Sequence, residues 1–401
     1  MPVPFCIWTV TAAQSCNMNR IKSDKIICGQ QIVSGYVYFN NDKIIDVTDK
    51  ELPFDQEFDA TGYYVSPGFI DTHTHGGGGY AFEGSTEDVI NGANFHLKHG
   101  TTTIAPTLAT SPFPQTRQGV INIAAAMGDS RAKSNIIGSH VEGPYLSPAQ
   151  IGAQSPDAIT APVATDYEPL IEAYGHAIAR WTYAPERDVD QAFCRFLVEH
   201  GIIPSVGHSD AIYKDMQEAM DAGCHLVTHL YSCTSTITRD HGFRRLGVIE
   251  TAYLEDDMYV ELIADGRHLP PELIRMIYKI KGSDRILLCT DSMPVAGTHT
   301  VSGNLNGINY IIEDGVCKLY DRSAFAGSIA TDDRLISVMT KEAGFSLTEA
   351  LKMLTEVPAK FMNLNKGTLE AGKDADIIVF DDDIQIKDLF VMGKHYTPEE
   401  I

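Results

Sequence analysis

His73 and His75 stand two residues apart where an apolar run, Gly68-Phe69-Ile70, breaks into Asp71-Thr72-His73-Thr74-His75. A strand puts side chains i and i+2 on one face, so both imidazoles, with Asp71 sharing their parity, can converge on one point. Convergent imidazoles suit a divalent cation. Glycines 76–79 follow at once, ending the strand and letting the backbone pass close to something bound. Taken alone, the pair reads equally well as two exposed histidines at the turn after a buried strand.

Later apolar runs end in the same residue types. They close on His140-Val141-Glu142, Gly207-His208, Thr228-His229, Asp265-Gly266-Arg267-His268 and Thr290-Asp291. Fourteen histidines scattered at random would not fall this way. Glu142, His208 and His229 form a set of two imidazoles and one carboxylate, suited to zinc or ferrous iron, with a position left open for water. A cation held there lowers the pKa of that water toward about 7. Singly, the glutamate would be a solvated strand end and each histidine a satisfied core residue. Asp291 directly follows the buried run 286–290, well placed to take a proton from the water and pass it to a leaving amine. Its plainer role is a helix cap or loop residue.

These residues need strands that all end at one place. Strand-like runs fall at 68–75, 101–108, 136–142, 181–185, 202–208, 225–231, 258–265 and 286–291. Helix-like stretches lie between them, among them 85–98, 189–200, 213–222, 271–281 and 332–343. Strand–helix alternation repeated eight times is the pattern of a (β/α)8 barrel of the α/β class, whose functional residues gather at the C-terminal strand ends. A doubly wound open sheet competes, but GxGxxG and GxxxxGK[ST] are both missing. Both chain ends have strand texture: 35–39 and 43–47 flank the turn Asn40-Asn41-Asp42, and 374–380 and 388–392 are apolar. We therefore expect a small sheet domain from 1–66 with 363–401, and the barrel over 67–362. Residues before about 25 carry no readable role.

Composition narrows the partners. Of 401 residues, 53 are Asp or Glu and 31 Lys or Arg, a net charge of −22. That argues against nucleic acid and anionic membrane surfaces, and requires a local basic pocket for any anionic substrate. The eight cysteines are scattered without a CxxC pair and read as free thiols of a reducing compartment. No run of 18 apolar residues and no signal-peptide pattern is present, so the cytoplasm is the expected location.

The motifs PGFIDTHTHG, HVEGPYLSP, VGHSDA, THLY, IADGRHL, CTDSMPVAG, Ala326-Gly327-Ser328 and GTLEAGKDADIIVF run in one order from about 65 to 380. In this the chain resembles the amidohydrolase superfamily and, within it, the N-acetylglucosamine-6-phosphate deacetylase family. HVEGP in place of a bridging carboxylated lysine narrows the likeness to that branch. The resemblance implies a (β/α)8 TIM-type barrel with a β-sandwich built from both termini. It implies Glu142, His208 and His229 on the main metal and Asp291 as general base, then acid. Some members lack the HxH histidines and use one metal. With both present, His73 and His75 point to a second ion, so two ions, zinc or iron, are expected per chain.

The same resemblance implies a phosphorylated N-acetyl amino sugar as substrate. His268 is carried over as a substrate or phosphate contact, and Gln154 as a polar group near the acetamide. The family's Asn-Ala-Met after THLY is replaced by Ser232-Cys233-Thr234, which makes Ser232 the substrate-contact candidate there. The family's arginine that reaches a neighbouring subunit's phosphate, and with it a homodimer, matches Arg239 best, with Arg244 and Arg245 as rivals. Because this loop departs from the pattern, two other readings stay open. One keeps the chemistry on N-acetylgalactosamine 6-phosphate or another N-acyl substrate; the other is a non-enzymatic ligand-binding barrel.

Overall fold

The computed structural model describes residues 18–305 and 307–401; Cys6, Cys16 and the rest of the first 17 residues lie outside the described residues. Eight strands form the central barrel: β1 Phe69–Thr74, β2 Thr101–Leu108, β3 Ser139–Glu142, β4 Ile178–Tyr183, β5 Ile203–Val206, β6 Leu226–Val227, β7 Tyr259–Ile263 and β8 Ile286–Cys289. Each pairs in parallel with the next from β1 to β8. A helix follows each one, the first Thr86–Leu97 and the last Asp332–Ser337. This is the expected (β/α)8 architecture.

The first helix shows how local sequence sets these units. Ser85 caps it in a reciprocal box with Asp88, and Val89, Ile90, Ala93 and Leu97 bury one stripe at helical spacing. Sequence overextends some strands. The run 136–142 breaks at Gly138, φ 117°, into Asn135–Ile136 and β3, both paired with β2. The run 225–231 keeps only two ladder residues, because the chain turns off the sheet at His229, φ 30°.

The barrel closes between β1 and β8 without a regular ladder. At the top, Asp291 N donates to His73 O and His75 N donates to Ser292 O, both at 2.8 Å. At the bottom, Ile70 N and Leu288 N donate instead to Leu354 O and Met353 O at 2.9 and 3.0 Å. Inside, where branched apolar residues are usual, the barrel holds buried Arg180, Glu261, Thr72, Thr182, Ser205 and Thr228.

Strands from both termini join one eight-stranded sheet, in which the C-terminal Ile377–Phe380 pairs with Tyr64–Pro67. Ile386–Val391 and Gln31–Asn40 lie four strand positions apart in it. A flat sheet would separate them by roughly 19 Å. Yet the rings of Phe39 and Phe390 lie 5.3 Å apart, so the sheet folds back on its own core as a sandwich does. The expected hairpin is there, with Asn40 opposite Lys43. The six cysteines among the described residues are free thiols, and no described helix is long and apolar enough to cross a membrane.

Sequence reading did not anticipate one element. Ser302–Leu305, Ile308–Glu313 and Val316–Leu319 make a separate antiparallel sheet between β8 and its helix.

Candidate metal centre and active site

Six strand-end residues singled out in the sequence converge at the mouth of the barrel, whereas His140 stays inside it, with its Nε2 2.7 Å from Thr182 Oγ1. His73 lies in β1 and His75 just beyond it, Glu142 ends β3, and His208, His229 and Asp291 each stand two residues past β5, β6 and β8. His208, His229 and Asp291 hold φ of 47°, 30° and 46°. Left-handed backbone at such residues is costly and clusters at functional sites. Here it turns the chain sharply at the strand end, leaving the side chain over the barrel axis.

Glu142, 1% exposed, is the hub. Its Oε1 lies 2.9 Å from His229 Nε2, 3.3 Å from His208 Nε2 and 3.6 Å from His73 Nε2. Its Oε2 lies 3.3 Å from His75 Nε2. Asp291 Oδ1 lies 3.2 Å from His75 Nε2 and 3.4 Å from His73 Nε2. Two sets therefore share Glu142: with His208 and His229, and with His73 and His75, their ligand atoms mutually within 4.8 Å. A third such set, His73, Glu261 and Cys289, lies deeper in the barrel, where Arg180 is bound to Glu261.

The donor atoms fit a divalent cation. Buried His73 Nε2 has no hydrogen-bond partner, although two carboxylates flank it, and imidazole with carboxylate is the donor mix zinc and iron accept. The electrostatics agree. Burial would raise the Glu142 carboxyl, but the neighbouring His73 and the hydrogen bonds with His208, His229 and His75 hold it well below the usual range. Burial also opposes ionisation of Asp291, and His73 and His75 outweigh it.

Above the hub lies a cavity of about 310 Å³. His268 and Ser232 line it, and Asp265 Oδ2 accepts from His268 Nδ1 at 2.8 Å. Gln154 lines it too, but its Nε2 donates to Glu142 Oε2 at 2.7 Å. The far wall is apolar, with Met293, Ile308, Tyr310 and Phe325, two of them from the unanticipated sheet. No lysine or arginine is among the described lining residues.

Arg239 does not line this chain's cavity. Thr238–Asp240 and Phe243–Arg245 form an antiparallel ribbon, in place of the loop expected, turning through His241 and Gly242 at φ 46° and 88°. Arg239 and Arg244 are directly opposed, a like-charge pairing that destabilises a ribbon. Arg245 pairs with Asp240. The glycine run also differs from expectation. It turns tightly against the ring of Phe95, which a Cβ on Gly77 would meet at 2.3 Å, and does not line the cavity. What drives it there is packing against the first helix.

A profile of the amidohydrolase family matches residues 64–399. The chain is also 31% identical to an N-acetylglucosamine-6-phosphate deacetylase of Lysinibacillus sphaericus over 341 residues, 84% of this chain and 87% of that one. The chain belongs to the amidohydrolase family, in its N-acetylglucosamine-6-phosphate deacetylase branch.

Solved structures of this amidohydrolase branch superpose closely. The Pasteurella multocida N-acetylglucosamine-6-phosphate deacetylase gives a TM-score of 0.88 at 28% identity, covering 95% of this chain and 100% of that one. A mutant of the Mycobacterium smegmatis enzyme, solved in complex with N-acetyl-D-glucosamine-6-phosphate, gives 0.86 at 27%, covering 94% and 99%. This amidohydrolase is a hydrolytic enzyme, so the barrel that only binds a ligand is set aside.

Sequence reading missed Glu261, Arg180 and Asp265 as supports of the site. A signal existed for the first: a lone acid inside the apolar run Tyr259-Val260-Glu261-Leu262-Ile263. A charge there is buried only if it is paired.

Proposed function

We propose that this chain hydrolyses the acetamide of N-acetylglucosamine 6-phosphate to glucosamine 6-phosphate and acetate. The observation that carries the reading is Glu142 with four imidazole nitrogens within 3.6 Å, beside Asp291 and under a cavity of about 310 Å³. In this reading Glu142, His208 and His229 hold one divalent cation, zinc or iron, and His73 and His75 with Glu142 hold a second. When bound, such a cation supplies Lewis acidity toward water and toward an amide carbonyl.

The chain's own residues do the rest. Asp291 takes a proton from the water that attacks the acetamide carbon. It then gives that proton to the nitrogen as the C–N bond breaks, so acetate and a free amine leave. His268, fixed by Asp265 through Nδ1, offers Nε2 to the substrate. Ser232 contacts the sugar, and the wall of Tyr310 and Phe325 keeps bulk water away. Arg239, with Arg244 beside it, meets the phosphate of a second subunit's substrate, which makes the enzyme a homodimer. The free thiols support a cytoplasmic enzyme. The reading divides the chain into a terminal sheet unit, 1–66 with 363–401, and the barrel unit, 67–362.

One observation favours a second substrate reading. With no cation lining the cavity among the described residues, another N-acyl substrate, or the galactosamine epimer, fits the same chemistry. Acetate release from N-acetylglucosamine 6-phosphate, N-acetylgalactosamine 6-phosphate, N-acetylglucosamine and N-acetyl amino acids separates these. We expect the highest kcat/KM on the first. Equal efficiency with and without phosphate would remove the sugar-phosphate reading.

A further inference from the structure

We propose that Glu261, held by Arg180, is the positioning residue that makes His73 a metal ligand and so decides whether this chain holds a second ion. The inference rests on the two-cation reading above.

Glu261 sits in the middle of β7, inside the barrel, wholly buried. Its Oε2 lies 2.9 Å from His73 Nδ1 and 3.2 Å from the amide nitrogen of His229. Its Oε1 accepts from Arg180 Nη1, and from Thr72 Oγ1 at 3.3 Å. Arg180, equally buried, is fixed by Nη2 donating to Thr228 Oγ1 at 2.8 Å and Ser205 Oγ at 3.3 Å. With Arg180 Nη2 3.4 Å from Oε2 as well, five donor atoms converge on one carboxylate, and a buried guanidinium neutralises it.

The consequence falls on His73. A carboxylate bound to Arg180 can only accept, so His73 Nδ1 must donate and the lone pair of the neutral ring sits on Nε2. That nitrogen is buried without a hydrogen-bond partner. It lies 3.4 Å from Asp291 Oδ1 and 3.6 Å from Glu142 Oε1. A lone pair between two carboxylate oxygens is repelled unless a cation stands among them. His75 Nδ1 has no partner of its own, so Glu261 anchors the second set through His73. The same oxygen of Glu261 holds the backbone of His229, a ligand of the first set, and ties the two sets together.

Glu261→Gln tests this. Arg180 requires the amide oxygen, so the amide NH2 faces His73 Nδ1, which must then accept. The ring proton moves to Nε2 and blocks the lone pair. Metal-free protein is titrated with Co(II) while the d–d absorbance is followed, and ions per chain are counted by elemental analysis. We expect two steps in the wild type. In Glu261→Gln the amide NH2 also meets the His229 backbone N–H, 3.2 Å from the replaced oxygen, so the first step weakens too, but the second weakens more, by roughly 10- to 100-fold in affinity.

The double variant Arg180→Leu with Glu261→Leu replaces the buried pair by apolar groups, which preserves folding where a single change leaves a charge stranded. It is expected to lose the same step. Two unchanged steps in Glu261→Gln, or equal loss of both, would overturn the inference alone. A wild type that takes up one ion would remove the two-cation reading, and this inference with it.

Discussion

Gln154 Nε2 lies 2.7 Å from Glu142 Oε2, while its Oε1 accepts the Thr110 amide at 2.9 Å. The second bond fixes which end of the amide faces the carboxylate. Gln154 therefore supports Glu142, turning its other oxygen toward His208 and His229. We predict that Gln154→Ala weakens metal binding roughly tenfold and leaves the KM of the metal-saturated enzyme within about threefold. Chelator competition and steady-state kinetics measure the two. A raised KM with unchanged metal affinity would place Gln154 against the acetamide instead.

Asp291 touches both His73 and His75 but is central to neither ligand set. Asp291→Asn keeps a side chain of the same size and removes the proton acceptor. We predict unchanged metal content and a fall in kcat of roughly 10²- to 10⁴-fold. Near-native turnover would take the proton-transfer role away from Asp291.

Arg239 and Arg244 face each other across the ribbon, and no carboxylate among the described residues lies within ion-pair distance of either. An anion bound between them would relieve their repulsion. Arg239→Ala is predicted to raise KM for the 6-phosphate roughly tenfold or more, the worth of one charged hydrogen bond, and to leave the unphosphorylated sugar unaffected. If the arginine serves a second subunit, mixing Arg239→Ala with Asp291→Asn regains activity in hybrid dimers. No recovery on mixing, with dimers formed, would place the arginine in its own subunit's site.

His96, in neither ligand set but bonded to both neighbours of His75, provides a pH test of stability. It is buried in the first helix, its Nε2 2.9 Å from Gly76 O. Burial pushes it down from 6.5 to about 4, and the Gly76 carbonyl pulls back only in part. Between these values the unfolded chain binds a proton that the folded chain refuses. The contribution is thus fully present above pH 6.5 and is lost as pH falls to about 4, by about 3 kcal/mol. His96→Gln should flatten that part of the wild-type slope in denaturant midpoints from pH 7 to 4.5. Parallel slopes in the two proteins would show that His96 is charged in the fold.

Much of the site could be read before the fold was known. A period-two strand followed by a helix, eight times over, forces all strand ends to one rim, so His73, His75, Glu142, His208, His229 and Asp291 had to meet. One further signal stands in the sequence. Asp314-Gly315 is a hairpin dipeptide, and the turn it predicts lies where Ile308–Glu313 reverses into Val316–Leu319, at Glu313 to Val316.

By itself, then, the sequence determined which kinds of side chain stand at the strand ends, because strand periodicity and turn chemistry are local. Only the tertiary structure decided that Arg180 and Glu261, 81 residues apart, meet beneath His73. Only it put Phe325 4.9 Å from the ring of His268, as part of the cavity's apolar wall. Those contacts depend on the stagger of strands around a closed barrel and on where an inserted sheet comes to rest. Neither is written in the preferences of neighbouring residues, since both follow from burying every element's apolar face at once.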